Sequence, residues 1–204
     1  ASSPTYYDAN QLYKTITKDE HQNEVIEYKD KQGRVVLKSV QGPNSTWAKT
    51  YYIYDDFGNL VTVIPPEATA RLMTEFLNQN DTNKDSFLKS WAFRYRYDAR
   101  NRMAIKQVPG ADPVYMVYDN RDRLVLTQDG NQRNANANIK YWSFIKYDPL
   151  NRPVLTGIRD TARTTGVKNL NQAEMQAVVD AHYSKPGAKW HEEFVGDVNG
   201  NIHG

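Results

Sequence analysis

Tyr97-Asp98-Ala99-Arg100-Asn101-Arg102-Met103 decides how this chain is read, because close variants of it recur along the sequence. Tyr54-Asp55-Asp56-Phe57-Gly58-Asn59-Leu60, Tyr118-Asp119-Asn120-Arg121-Asp122-Arg123-Leu124 and Tyr147-Asp148-Pro149-Leu150-Asn151-Arg152-Pro153 keep the same spacing. Tyr28-Lys29-Asp30-Lys31-Gln32-Gly33-Arg34-Val35 adds one residue between Tyr and Asp, but still places Gly three residues after Asp. Self-similarity of this kind is weighed before any other motif, since a missed repeat misreads the whole fold.

Each copy predicts a β-hairpin. Upstream of the turn, aromatic and apolar residues alternate with charged ones, as in Phe93, Tyr95 and Tyr97 with Arg94 and Arg96 between them. Downstream come β-formers such as Leu60-Val61-Thr62-Val63-Ile64 and Leu124-Val125-Leu126-Thr127. Period-two alternation on both sides of a short polar segment is the hairpin signal. The Asp opening each loop can accept a hydrogen bond from the backbone N–H two residues on. Three residues later stands Gly33, Gly58, Asn101, Asp122 or Asn151, residue types that tolerate positive φ. Arg follows in four copies (Arg34, Arg102, Arg123, Arg152) and Asn59 in the other. That Arg row could be an anion-binding stripe. Pairing with Asp or stacking on a neighbouring Tyr is the simpler reading, because both partners are built into the repeat.

Composition narrows the class. With 26 Lys and Arg against 24 Asp and Glu, the net charge of +2 argues against nucleic-acid binding by bulk charge. Tyrosine dominates the aromatics, 14 against 6 Phe and 4 Trp, as befits a strand-rich chain. Cysteine is absent, so there is no disulfide framework, thiolate zinc site or Cys nucleophile. No apolar run reaches membrane-spanning length, so no membrane insertion is expected, and the N-terminus lacks a signal-peptide pattern. The chain reads as a mature form or as a fragment.

Taken in order, residues 1–64 predict a hairpin meander with strands near 12–18, 24–28, 34–39, 48–54 and 60–64. Tyr7-Asp8-Ala9-Asn10-Gln11 and Asp19-Glu20-His21-Gln22-Asn23 are degenerate turns with Gln at the left-handed slot. Residues 65–90 form a helical insertion. Pro66 and Glu67 open a helix over about 66–79, with Ala68, Leu72, Met73 and Phe76 spaced to pack on the sheet. Asp81, Asn83 and Asp85 begin like a calcium loop, but Ser86 replaces the Gly and Ala92 the bidentate Glu, so a solvated connecting loop is preferred. Residues 91–158 carry the core repeats, with an Asp-Gly turn at Asp129-Gly130 and a mobile loop over 131–138. Residues 159–204 hold a second helix, about 171–184, and a terminal repeat over 194–202 whose return strand stops at Gly204. Asn171 and Glu174 form its capping box, and Ala173, Met175, Val178, Val179 and His182 share a face.

No catalytic constellation stands out. The four histidines form no HExxH pair, and GxSxG, P-loop and GxGxxG motifs are absent. An active site needs one special constellation, whereas these polar residues recur, so no enzyme and no cofactor are expected.

The Tyr-Asp-x-x-Gly/Asn-Arg-apolar unit resembles the YD repeat of the RHS-repeat family over nearly the whole chain. The variants at 51–60 before Pro65-Pro66 and at 146–153 before Thr156-Gly157 are similar to those of Bacteroidetes-type RHS proteins. The resemblance implies a mainly β, twisted antiparallel sheet of consecutive hairpins, here with two inserted helices. It also implies a bacterial, secreted or cell-surface scaffold, with neighbouring repeats of the same polypeptide as partners and a C-terminal toxin or effector behind it. Animal members act in cell adhesion. Tyr28, Tyr54, Tyr97, Tyr118 and Tyr147 lie 26, 43, 21 and 29 residues apart, an irregular array. The family's C-terminal self-cleavage motif and toxin domain are missing, so the chain reads as an excerpt, too short to close a shell. Two alternatives stand beside this: a carbohydrate-binding surface presenting Trp47, Trp91, Trp142 and Trp190 to glycans, and an enzyme with an unrecognised site.

Overall fold

A computed structural model describes residues 7–77, 79–135, 140–160 and 170–192, together with the backbone of 195–196 and 202–203. The fold is mainly β. Eleven strands run in chain order through one antiparallel sheet, with four helices among the described residues. The strands are β1 (Tyr13–Lys18), β2 (Glu24–Lys29), β3 (Val35–Gln41), β4 (Trp47–Tyr54), β5 (Leu60–Ile64), β6 (Phe93–Tyr97), β7 (Met103–Gln107), β8 (Val114–Tyr118), β9 (Leu124–Gln128), β10 (Tyr141–Tyr147) and β11 (Pro153–Asp160). The helices are α1 (Pro66–Glu75), α2 (Asp81–Trp91), α3 (Gly130–Asn134) and α4 (Gln172–Tyr183). A separate hairpin joins β12 (Val195–Gly196) to β13 (Ile202–His203), and the turn residues of that terminal repeat lie outside the described residues.

The chain divides into two compact units: residues 1–95 with 107–111, and residues 96–106 with 112–204. In the first, β5 ends at Pro65 and α1 and α2 form the cover. Ile64, Ala68 and Phe87 make its buried centre, flanked by Tyr51, Leu72, Phe76, Leu88 and Trp91. In the second, α4 covers the sheet, and Val117, Val125, Trp142 and Met175 are the buried centre.

Five expectations are corrected. Asp81, Asn83 and Asp85 do not lie in a loop. They open α2, because the Asn80 side chain accepts from the Asn83 N–H at 2.9 Å and Phe87 packs on Phe76 with ring centres 5.4 Å apart. Asp129-Gly130 is likewise no β-turn. Asp129 and Gln132 form a capping box, so Gly130 and the first part of the expected loop become α3. The first predicted helix is shorter than expected. α1 ends at Glu75, and Met73 faces solvent while Ala68, Leu72 and Phe76 join the core. On α4, Ala173 and His182 are exposed, and the face that packs is Met175, Val178 and Val179. In the N-terminal degenerate turn, Asn10 rather than Gln11 takes positive φ, while Gln22 adopts φ 65° as the Asp19 turn requires.

Candidate functional site

In a meander every second turn falls on the same edge of the sheet, and in each unit that edge carries the Tyr-Asp turns. Their local chemistry is the same five times over. Asp98 Oδ1 accepts from the N–H groups of Arg100 (2.9 Å) and Arg102 (3.0 Å), while Oδ2 takes the Arg102 Nε–H at 2.7 Å. Asp119 receives Arg121, Arg123 and the Arg123 guanidinium at 2.9, 2.9 and 2.7 Å. Asp30 and Asp148 repeat the pattern with Arg34 and Arg152, and Asp55 uses the Asn59 carboxamide at 3.1 Å instead. In each loop the N–H three residues on donates to the Asp carbonyl, and the residue there has φ between 58° and 86°. One carboxylate thereby satisfies two turn N–H groups and one side-chain donor, a guanidinium in four turns and a carboxamide in the Asp55 turn.

Burial pushes the Asp98 carboxyl up, but the Arg102 and Arg100 N–H bonds and the Arg102 guanidinium outweigh it and hold it below the ordinary value. Asp30 is lowered by the same competition. Asp148 is lowered chiefly by the Arg152 backbone N–H.

The second link joins consecutive hairpins. Arg34 lies over the Tyr54 ring at 4.9 Å, and the Tyr54 hydroxyl donates to the Val35 carbonyl at 3.1 Å. Arg102 covers Tyr118 at 4.8 Å, with Tyr118 Oη to the Met103 carbonyl at 2.8 Å. Arg123 covers Tyr147 at 4.7 Å, with Tyr147 Oη to the Leu124 carbonyl at 2.8 Å. Each Arg therefore closes its own turn and seats the Tyr of the next, whose hydroxyl locks the residue after that Arg. Burial raises the Tyr54, Tyr118 and Tyr147 hydroxyls above their ordinary value, keeping them protonated donors. Tyr97 and Asn101 belong to the turn row of the second unit, and Asn59 to that of the first. Asp122 adds a further crosslink, accepting from Arg102 Nη1 and Arg100 Nη2, both at 2.9 Å.

One device was not read from the sequence. Four of these hairpins change register at or just before the final Tyr-side pair, leaving Val36, Val61, Val125 and Val154 as the extra residue on the returning strand. All four are valine, two residues after the Arg or Asn, so an alignment of the copies on that position holds the signal.

In the second unit the helix and the chain after it attach to this row. Gln176 takes both backbone groups of Tyr118 (2.9 and 2.7 Å), and Gln172 donates to the Met116 carbonyl at 2.8 Å, standing in for a strand neighbour. Trp190 stacks under Arg121 at 3.7 Å, its carbonyl is taken by Arg123, and the Glu192 N–H donates to the Tyr147 carbonyl at 2.8 Å.

The other sequence candidates are dispersed. Trp142 is fully buried, the Trp91 face is covered by Arg71 at 4.4 Å and Trp190 by Arg121, leaving Trp47 exposed. Asp81, Asn83 and Asp85 point to separate partners: Lys84 at 3.9 Å, Gln79 at 3.0 Å and Arg94 at 2.9 Å. Among the described residues no group of three His, Cys, Asp or Glu is placed to hold a metal, and no helix is long and apolar enough to cross a membrane.

No protein-family model matches the sequence, and no curated protein matches it. Solved structures do resemble the fold. The crystal structure of TcdB2-TccC3 is similar over 71% of this chain at 14% identity and a TM-score of 0.51. The Photorhabdus luminescens Tc holotoxin pore carrying TccC3-D651A and the crystal structure of TcdB2-TccC3-Cdc42 each match over 71% of the chain at 14% identity, with a TM-score of 0.50. This chain spans 6% of the length of each of those chains.

Proposed function

We propose that this chain is a non-catalytic segment of an RHS-type, YD-repeat protein, a stretch of scaffold wall for an exported bacterial toxin or effector. The observation that carries the reading is the three-part lock of Asp, Arg and the following Tyr. It recurs from hairpin to hairpin and spends the polar residues of the repeats on joining one strand pair to the next. Residues committed to such contacts serve wall building rather than turnover. The likeness in fold to segments of Tc toxin structures supports it, and other toxin components or an effector are the partners this reading proposes for the whole polypeptide.

The test is made on the full polypeptide that contains this segment. Electron microscopy should find a hollow or spiral β shell, and limited proteolysis should leave a resistant repeat body holding a protected C-terminal fragment. Replacing Tyr118 and Tyr147 by Ala should open the wall and expose that fragment to protease. A compact body without a cavity, or a fragment equally protected in the double variant, would overturn the proposal.

A further inference from the structure

A cavity of about 920 Å³ lies in the second unit between α4 and the face of β9, β10 and β11. It falls within the size range of small-molecule sites. Its floor is built by a gap in the side-chain pattern. Gly157 stands opposite Phe144, and a Cβ on Gly157 would come within 2.8 Å of the Phe144 ring, so the ring lies against bare backbone. Trp142 and Leu155 extend that floor, and Met175, Val178 and Tyr183 form the roof. The walls are thus mostly aromatic and aliphatic.

Two polar features stand out against them. Trp142 is completely buried, and its indole Nε1–H has no acceptor. The lining also carries more cations than acids. Arg123 is held by Asp119 at 2.6 Å and Lys146 by Glu192 at 2.6 Å, whereas Arg159 and Lys185 have no ion-pair partner among the described residues. Arg159 stands directly opposite Trp142 in the β10–β11 register, so the two side chains share the face of the sheet that lines the cavity. An apolar chamber lined by two cations without ion-pair partners among the described residues matches an anion carrying an apolar body.

We infer that this cavity binds a small amphipathic carboxylate, with its aliphatic or aromatic body between Phe144 and α4 and its carboxylate held by Arg159 and Lys185. Phe144, Arg159 and Lys185 take no part in the Tyr-Asp turn locks, although Arg123 and Tyr147 of one lock also line the cavity.

The inference is tested by calorimetric titration of the protein with decanoate, decanol and decyltrimethylammonium, each below its micelle concentration. Decanoate should bind saturably at one site, about tenfold more tightly than decanol, the ratio expected of one charge-assisted hydrogen bond. Decyltrimethylammonium should bind more weakly than either. The Arg159→Ala/Lys185→Ala variant, which alters surface groups and should keep the native circular dichroism spectrum, should lose the preference for decanoate. Val178→Trp, which fills the chamber, should abolish binding of all three. Absence of saturable binding, tighter binding of the cation, or an unchanged preference in the double variant overturns the inference. So does binding of an acidic apolar peptide where decanoate fails, which would make the chamber a seat for a protein segment.

Discussion

The turns at Asp119–Arg123 and Asp148–Arg152 are locally the same object. Their Asp–N–H and Asp–guanidinium distances agree within about a tenth of an ångström, and Asp122 and Asn151 have φ of 62° and 63°. Their surroundings differ. The Arg123 side chain is 10% exposed, clamped between Tyr147 and Trp190, whereas that of Arg152 is 71% exposed. The turn therefore forms from its own residues, and the neighbouring hairpin decides what the Arg is worth. A guanidinium in water adds little to an exposed pair, while the same group sandwiched between rings gains both stacking and a stronger ion pair.

The largest expected effect is that of acid on the turns whose carboxyls are depressed, the exposed Asp148 turn among them. Asp30, Asp98 and Asp148 are held below the ordinary carboxylate value of 3.8. A depressed folded value stabilises the fold above the unfolded value, and that contribution is lost as the pH falls through the folded values. Melting temperature should hold steady down to about pH 5 and drop steeply below about pH 4 as the Asp30, Asp98 and Asp148 carboxylates protonate. A flat profile to about pH 2.5 would mean that the carboxylates do not hold the turns.

Next in size, Asp119→Ala strands a buried guanidinium and should cost about 3–5 kcal/mol in urea unfolding. Asp148→Ala leaves a solvated Arg and two turn N–H groups, and should cost only about 1–2 kcal/mol. Equal losses would break the comparison. Tyr147→Phe keeps the stack and removes the hydrogen bond to Leu124, an expected loss of about 1 kcal/mol. A double-mutant cycle with Arg123→Ala then separates ring stacking from hydroxyl bonding. The smallest effect is that of Arg152→Ala, within about 0.5 kcal/mol of the parent. A larger loss would show that Arg152 has a seat of its own.

Much of this architecture was legible as pattern. The five turns, strands β1 to β5 and the α4 capping box follow from short-range chemistry, where the interacting groups are two to four residues apart. The misreadings have a common cause. In α2, Asp81-Thr82-Asn83-Lys84-Asp85 has weak helix propensity and mimics a ligand loop. It becomes helical because Asn80 caps it and because Phe87, Leu88 and Trp91 find the core that α1 and Ile64 provide. At five residues α3 is too short to be stable by propensity. Its capping box is aided by Gln132 reaching Ser143 at 2.8 Å and Arg133 stacking on Tyr115 at 4.1 Å.

From the sequence alone came the repeat and the turn chemistry within it, because Asp, the left-handed residue and Arg meet inside one loop whatever lies around them. Tertiary structure alone decided which Arg is buried, which Tyr it seats, where α2 and α3 form and that a chamber opens beneath α4. Those outcomes depend on groups from 11 to 67 residues apart, such as Gln132 with Ser143 and Arg123 with Trp190. Their free energy appears only when water leaves both surfaces at once, and no local pattern in the chain records that event.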